Sequence, residues 1–211
     1  LRGVDGTGVL AGISNISRID AFKTEDGKKV PCDGQLWYRG YNVIDLIHGF
    51  EGKRFGFEEV AYLLLFGELP DAAKLGAFKS MLEECRQLPT NFTRDVIMKA
   101  PSKDIMNSLT RSVLTLASYD ETIADQELHT QLEQCIKLIS VFPMLAVYGY
   151  HAYNHYICDD SLYIHRPQEG LSAAENLLLM LRPDKAYTEL EARVLDIALV
   201  LHMEHLSLIH I

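Results

Sequence analysis

What most constrains this chain is a change of hydrophobic period at Asn42. Before it, short β-branched runs alternate with turn formers. After it, apolar residues recur every three or four positions, the spacing of one buried helix face. Phe57–Phe66 reads as a short buried helix, with Gly67 where a left-handed C-terminal cap falls. Asp71 is placed to cap a helix from Ala72 to about Leu88, which Pro89-Thr90 then stops. Ser102 is placed to cap the next, whose stripe is Ile105, Leu109, Val113 and Leu116. A further stripe at Leu128, Leu132, Ile136, Ile139 and Phe142 runs into Pro143, which should kink or end its helix by removing a backbone hydrogen bond. Ser172-Ala-Ala-Glu175 and Thr188-Glu-Leu-Glu191 each fit a capping box, and Arg182-Pro183-Asp184 breaks the chain between them. The last helix is expected from Glu189 to about Glu204, with Leu190, Val194, Ile197, Leu201 and His205 on one face. Residues 194–201 are apolar except for Asp196, so much of that helix should be buried.

In residues 1–41, Asp26-Gly27 lies between Ala21-Phe22-Lys23 and Lys29-Val30 and marks a hairpin turn, because glycine tolerates positive φ. Two or three short strands are expected there, and no large sheet. The fold class that follows is mainly α: an N-terminal segment 1–41 with short strands, then a helical domain 42–205. No repeat at solenoid periods and no linker-like segment interrupts it.

Hydrophobic residues at 48% and charged residues at 23% match an ordinary globular chain and argue against disorder. A formal charge of -9 with no Lys/Arg run repels phosphates, so no nucleic-acid partner is expected. The longest strongly apolar runs, 61–66 and 197–201, fall far short of the roughly 20 residues of a membrane helix, so no membrane association is expected. The start has no basic, then apolar, secretory pattern and no Met, which suggests a processed or incomplete front. Cys32, Cys85, Cys135 and Cys158 form no C-x-x-C pair, as expected for buried or neutral thiols in a reducing cytoplasm.

The strongest chemical candidate is His205, in His202-Met-Glu-His205 at the end of the last apolar stripe. Imidazole transfers protons near neutral pH and can donate a hydrogen bond to a developing oxyanion. A satisfied core histidine is the competing reading. The pairs His202/His205 and His151/His155 share helix faces but lack Asp or Cys partners, so no metal site is expected. For the second pair, among Tyr148, Tyr150, Tyr153 and Tyr156, histidines at a surface or interface are the simpler reading. Arg39, in Gln35-Leu-Trp-Tyr-Arg-Gly-Tyr41, is placed either to pair with an acidic ligand or phosphate, or to stack on Tyr38 or Tyr41 and hold the N-terminal region onto the helices. Ser172 and Ser207 sit in no G-x-S-x-G elbow, and no phosphate-cradling glycine loop occurs.

Five segments in order resemble the citrate synthases, in bacterial style. They are Leu36-Trp-Tyr-Arg-Gly-Tyr-Asn-Val-Ile-Asp-Leu46, then Phe57-Glu-Glu-Val-Ala-Tyr-Leu-Leu-Leu-Phe-Gly-Glu-Leu-Pro70, and Ser161-Leu-Tyr-Ile-His-Arg-Pro167. Ala174-Glu-Asn-Leu-Leu-Leu-Met-Leu-Arg-Pro183 and the His202-x-x-His205 helix end complete the set. The resemblance covers about Asp5 to His205, the first half or so of a family member. It implies a partial large helical domain, normally homodimeric, in an acyltransferase of the tricarboxylic acid cycle. Acetyl-CoA, a substrate rather than a cofactor, loses a methyl proton to a carboxylate. Its enol attacks oxaloacetate, and citryl-CoA is hydrolysed. The histidine that stabilises the enolate oxygen maps onto His205; His202 inherits no role. A neutral imidazole, close in acidity to the enol, suits that task.

The departures imply as much. The second catalytic histidine, the catalytic aspartate, most substrate-binding arginines and the small domain belong to segments absent here. This chain alone is therefore expected to be inactive. Ala173 stands where some members place a histidine that holds oxaloacetate. Residues 206–211 fit nothing in the family pattern and are expected to be a foreign or mis-joined tail. Two other functions stay open: a fragment of 2-methylcitrate synthase, which uses propionyl-CoA, and a non-catalytic helical scaffold that pairs with a complete chain.

Overall fold

The computed structural model describes residues 14–50 and 55–204. The tail 206–211 lies outside them. The chain forms two compact units, residues 1–75 with 193–211 and residues 76–192. It is mainly helical with one small sheet, the class the sequence indicates.

In the first unit, β1 (Ser17–Glu25), β2 (Lys28–Tyr38) and β3 (Tyr41–Asn42) make an antiparallel sheet in the order β1-β2-β3. Asp26 (φ 49°) and Gly27 (φ 75°) form the expected two-residue turn between Glu25 and Lys28. The strands are longer than expected, nine and eleven residues. A bulge between Asp20 and Phe22 absorbs the Cys32-Asp33-Gly34 interruption, so pairing resumes beyond it. A second positive-φ pair, Arg39 and Gly40, turns β2 into β3.

Asn42 then caps α1 (Val43–His48), its side-chain oxygen accepting from the Ile44 N–H at 2.9 Å. α2 (Phe57–Phe66) ends at Gly67, whose φ of 83° and N–H bond to the Leu63 carbonyl make the expected cap. Gly56, just before α2, is closely approached: a Cβ there would lie 2.2 Å from the buried Phe50 ring, which would have to move. Tyr38, Val43, Leu46, Phe50, Val60, Leu63 and Val200 form this unit's core. Each such apolar side chain contributes about 1.5–3 kcal/mol when fully buried.

The second unit is organised around α5 (Leu128–Cys158), with α4 (Ile105–Ala117), α6 (Ala173–Leu181) and a π-helical turn at Thr93–Ile97 packed on it. α3 (Ala72–Glu84) and α7 (Glu189–Leu201) cross the division between the units. Phe92, Ile97, Leu109, Leu116, Met144, Leu145, Tyr148, Leu179 and Met180 are among its core residues.

Several sequence expectations are corrected here. Asp71 does bond the Lys74 N–H at 2.8 Å, but α3 stops at Glu84 rather than Leu88. A tightened turn, Arg86 N–H to the Glu83 carbonyl, leads the chain out before proline restricts Leu88. α4 is capped by Asp104, whose carboxylate accepts from Asn107 N–H at 3.0 Å, while Ser102 supports Asp104 itself. Pro143 does not end its helix, which runs 31 residues in all, from Leu128 through Pro143 to Cys158.

The expected stripe on α5 also fails at both ends: Leu128 is 80% and Phe142 43% exposed. Burial instead follows Ile136, Ser140, Met144, Val147 and His151. Ser140 can take an interior position because its hydroxyl donates to the Ile136 carbonyl at 2.8 Å. Ser112 does the same on α4, donating to the Ser108 carbonyl. α5 is also long and apolar enough, by length and composition, to cross a membrane, which a search for unbroken apolar runs overlooks. Its apolar face forms the core of this unit, so its hydropathy is that of an interior helix.

The largest correction concerns α7. It ends at Leu201, not near Glu204, in a tight turn with His202 N–H on the Leu199 carbonyl and Met203 N–H on that of Val200. Of the expected interior stripe, Leu190 (71%), Val194 (60%) and Leu201 (43%) are exposed and Ile197 is half-buried, while Ala192, Asp196 and Val200 are buried; His205 lies outside the described residues.

Candidate functional site

The chain reaches its candidate catalytic position through the end of α7, and that end is held by polar groups at one-turn intervals. Asp196 is buried, and its two carboxylate oxygens accept from the Gly56 N–H at 2.8 Å and the Phe57 N–H at 3.1 Å. Gly56 has no side chain to cap α2, so Asp196 supplies the cap from across the sequence. A negative charge at a helix N-terminus is also favoured by the backbone dipoles.

One turn later, the Tyr38 hydroxyl donates to the Val200 carbonyl at 2.9 Å. Tyr38 is fully buried, and burial with the neighbouring Glu204 carboxylate pushes its hydroxyl up to about 12. The backbone N–H groups of Met203 and Glu204 face the same oxygen and act in the opposite direction. The group therefore stays protonated, and able to donate, well above neutral pH. One turn further on, the Ser17 hydroxyl donates to the Glu204 carboxylate. Positions 196, 200 and 204 are thus tied to the α2 N-terminus and to the end of the sheet.

Arg39 serves the same unit. Its Nε and Nη2 donate to the Leu64 carbonyl at 3.2 and 2.8 Å, and Nη1 donates to Asn15 at 3.1 Å. It holds the N-terminal sheet to α2, as the second reading has it, but by satisfying an end carbonyl of that helix rather than by stacking on tyrosine. The cation–π contact in this segment belongs to Arg18, 5.0 Å from the Trp37 ring centre.

His151, His155, His165 and His202 are engaged with backbone carbonyls, whereas His129 lies beside the Glu133 carboxylate. His202 is exposed, and its Nδ1 donates to the Ala198 carbonyl at 2.7 Å. His151 is buried rather than at a surface, its Nε2 donating to the Met180 carbonyl at 3.0 Å. His155 Nδ1 donates to the Asp160 carbonyl at 2.8 Å, where α5 ends. Among the described residues, no group of three metal-capable side chains converges. His205 itself lies outside the described residues, one position beyond Glu204.

In the second unit an open cleft of about 800 Å³ is lined by Arg86, Arg94 and Arg166 with Glu83 and Glu169. Arg94 is already engaged by Asp95, at 2.7 and 2.8 Å. Sequence reading misses this cleft, since its residues come from separated stretches and share no spacing. Beside it, Asn176 brackets the chain before α6, accepting from Gln168 N–H at 2.7 Å and donating to the Gln168 and Leu171 carbonyls at 3.1 Å. At the start of α6 the capping box is complete: Glu175 N–H donates to Ser172 Oγ at 3.2 Å, and Ser172 N–H donates to the Glu175 carboxylate at 3.0 Å.

Comparison with known proteins decides what this arrangement belongs to. The family model described as citrate synthase, C-terminal domain, matches residues 3–207. This chain belongs to the citrate synthase family. It is 32% identical over 213 residues to a citrate synthase of Haloferax volcanii, covering 97% of this chain and 48% of that protein. It is 31% identical over 170 residues to the 2-methylcitrate synthase of Shewanella oneidensis, covering 81% of this chain and 42% of that protein. Among solved structures, a citrate synthase from Pyrobaculum aerophilum superposes with a TM-score of 0.74 at 27% identity, over 94% of this chain and 46% of that one. The chain thus spans under half the length of these relatives.

Many of the residues in the strings that resemble the family serve as anchors in this chain. Tyr38 and Arg39 hold α7 and α2, and Glu175 and Asn176 build the entry to α6. Arg182, from the same string, donates to Glu191 at 2.5 Å. Together with donors from Thr188, that pairing holds the Glu191 carboxyl down at about 2.

Proposed function

We propose that this chain is the N-terminal part of a condensing enzyme that joins acetyl-CoA to oxaloacetate and releases citrate and CoA. The observation that carries the reading is the family match through residue 207, which takes in His202-x-x-His205 at the exit of an anchored helix. In this reading the His205 imidazole donates a hydrogen bond to the enolate oxygen as the methyl proton leaves, lowering the cost of ionising a weakly acidic carbon. The carboxylate base and most anion-binding groups come from the half of the fold that this chain lacks. The isolated chain is therefore inactive. The chemistry needs no resident cofactor, since CoA arrives with the substrate.

The complete enzyme acts as a cytoplasmic homodimer. The match to the 2-methylcitrate synthase of Shewanella oneidensis favours one second reading, in which propionyl-CoA is the acyl donor.

A chimera joining residues 1–205 to the C-terminal half of the Haloferax volcanii relative tests the proposal. CoA release with oxaloacetate, measured with acetyl-CoA and propionyl-CoA in parallel, is expected for at least one donor. Release of CoA without any new carbon–carbon bond would refute condensation. Turnover by the unjoined 211-residue chain would refute its inactivity.

A further inference from the structure

The geometry points to Tyr38 as a positioning residue for His205, with Ser17 as its assistant, a role that rests on the enolate-stabilising reading of His205. Tyr38 closes β2 and Ser17 opens β1, and the two are direct cross-strand partners. They therefore form one platform at the end of the sheet, fixed further by Arg39 N–H on the Ile16 carbonyl at 2.7 Å. From that platform one hydroxyl reaches the end of α7, Tyr38 to the Val200 carbonyl, and the other reaches the turn that follows it, Ser17 to the Glu204 carboxylate.

A helix end ordinarily leaves its last carbonyls to water and frays. Here Val200 is buried and its carbonyl accepts from Tyr38 as well as from the Met203 N–H. The turn of residues 201–204 is thus set by groups from the N-terminal sheet, and the next residue is His205. A hydrogen-bond donor to an enolate acts only if it is held close to its productive geometry. Packing alone does not account for Tyr38, since phenylalanine would fill the same space and leave the Val200 carbonyl only the longer bond from the Met203 N–H, at 3.4 Å against 2.9 Å from Tyr38. The Tyr38 hydroxyl also keeps its proton far above neutral pH, so the tie persists wherever the enzyme would work.

The test is amide hydrogen exchange in the 211-residue chain, followed by NMR for wild type, Tyr38→Phe and Ser17→Ala. Tyr38→Phe is expected to speed exchange at Met203, Glu204 and His205 about tenfold, and Ser17→Ala about threefold, with amides in the middle of α2 and α5 unchanged. Unchanged rates at 203–205 in Tyr38→Phe would overturn the inference, as would wild-type amides there exchanging at free-peptide rates. Should Tyr38→Phe fail to fold, unchanged rates in Ser17→Ala would overturn it equally.

In the chimera, Tyr38→Phe should lower kcat about tenfold while KM for oxaloacetate moves less than about twofold, a split that a general packing defect does not produce. Equal changes in both would count against positioning. Altered exchange beside a dispensable His205 would defeat the enolate reading. An essential His205 with unaltered exchange would defeat this inference alone.

Discussion

α6 and α7 begin with the same local signal and then bury opposite kinds of surface. Ser172 and Thr188 each accept from the backbone N–H three residues on, and Glu175 and Glu191 each return the bond. Along α6 the apolar residues Leu178, Leu179 and Met180 turn inward, as their sequence suggests. Along α7, Leu190 and Val194 face outward, and the one acidic residue in the apolar middle, Asp196, is interior. Where a helix starts is decided by a few neighbouring residues. Which face it buries is decided by partners that can be far along the chain, here Gly56 and Phe57.

The contrast predicts paired substitutions, read by urea unfolding of the 211-residue chain. Leu179→Ala should cost about 2–5 kcal/mol, as core truncations do, whereas Leu190→Ala should change stability by under about 0.5 kcal/mol. Similar losses for the two would mean that α7 buries its apolar side after all. Asp196→Ala should cost about 2–3 kcal/mol, because it leaves the Gly56 and Phe57 N–H groups without their charged acceptor. Val194→Ala, two residues away and exposed, should stay within about 0.5 kcal/mol. The capping boxes sharpen the comparison further: Ser172→Ala should cost about 1–2 kcal/mol and Thr188→Ala about 0.5, since only the first box is buried.

The smallest effect is one of pH. The Glu191 carboxyl is held down to about 2 by Arg182 and then by Thr188. A lowered native value stabilises the fold above the ordinary carboxylate range and loses that contribution as pH falls toward 2. This pair is exposed, so Glu191→Gln should lower Tm only slightly at pH 7, with the difference from wild type shrinking below about pH 4.5. A difference that grows on acidification would show the carboxylate to be destabilising.

Much of the fold is legible in the sequence because its signals are local. The Asp26-Gly27 turn, the Gly67 cap and both capping boxes each need only four or five residues to be read. Ser102 and Asp104 are both good caps two positions apart, and sequence alone cannot rank them. The buried faces of α5 and α7 escape the sequence for one reason. Periodicity turns apolar residues inward, whereas Ser140 and Asp196 carry their own hydrogen-bond solutions into the interior. Of the proposed site, His205 is put forward from the family resemblance alone, whereas the contacts of Tyr38 and Ser17 with residues 200 and 204 depend on strand pairing and span nearly the whole chain, so no local pattern announces them.

The central claim, that this chain delivers a condensing histidine from an anchored helix, is tested most directly by comparing two histidines three residues apart. In the chimera, His205→Ala should lower kcat by about 10²–10³-fold, the usual loss on removing an oxyanion donor, while His202→Ala, exposed and bonded to its own helix, should stay within about threefold of the parent. Near-normal turnover by His205→Ala, or a comparable loss from His202→Ala, would contradict the account.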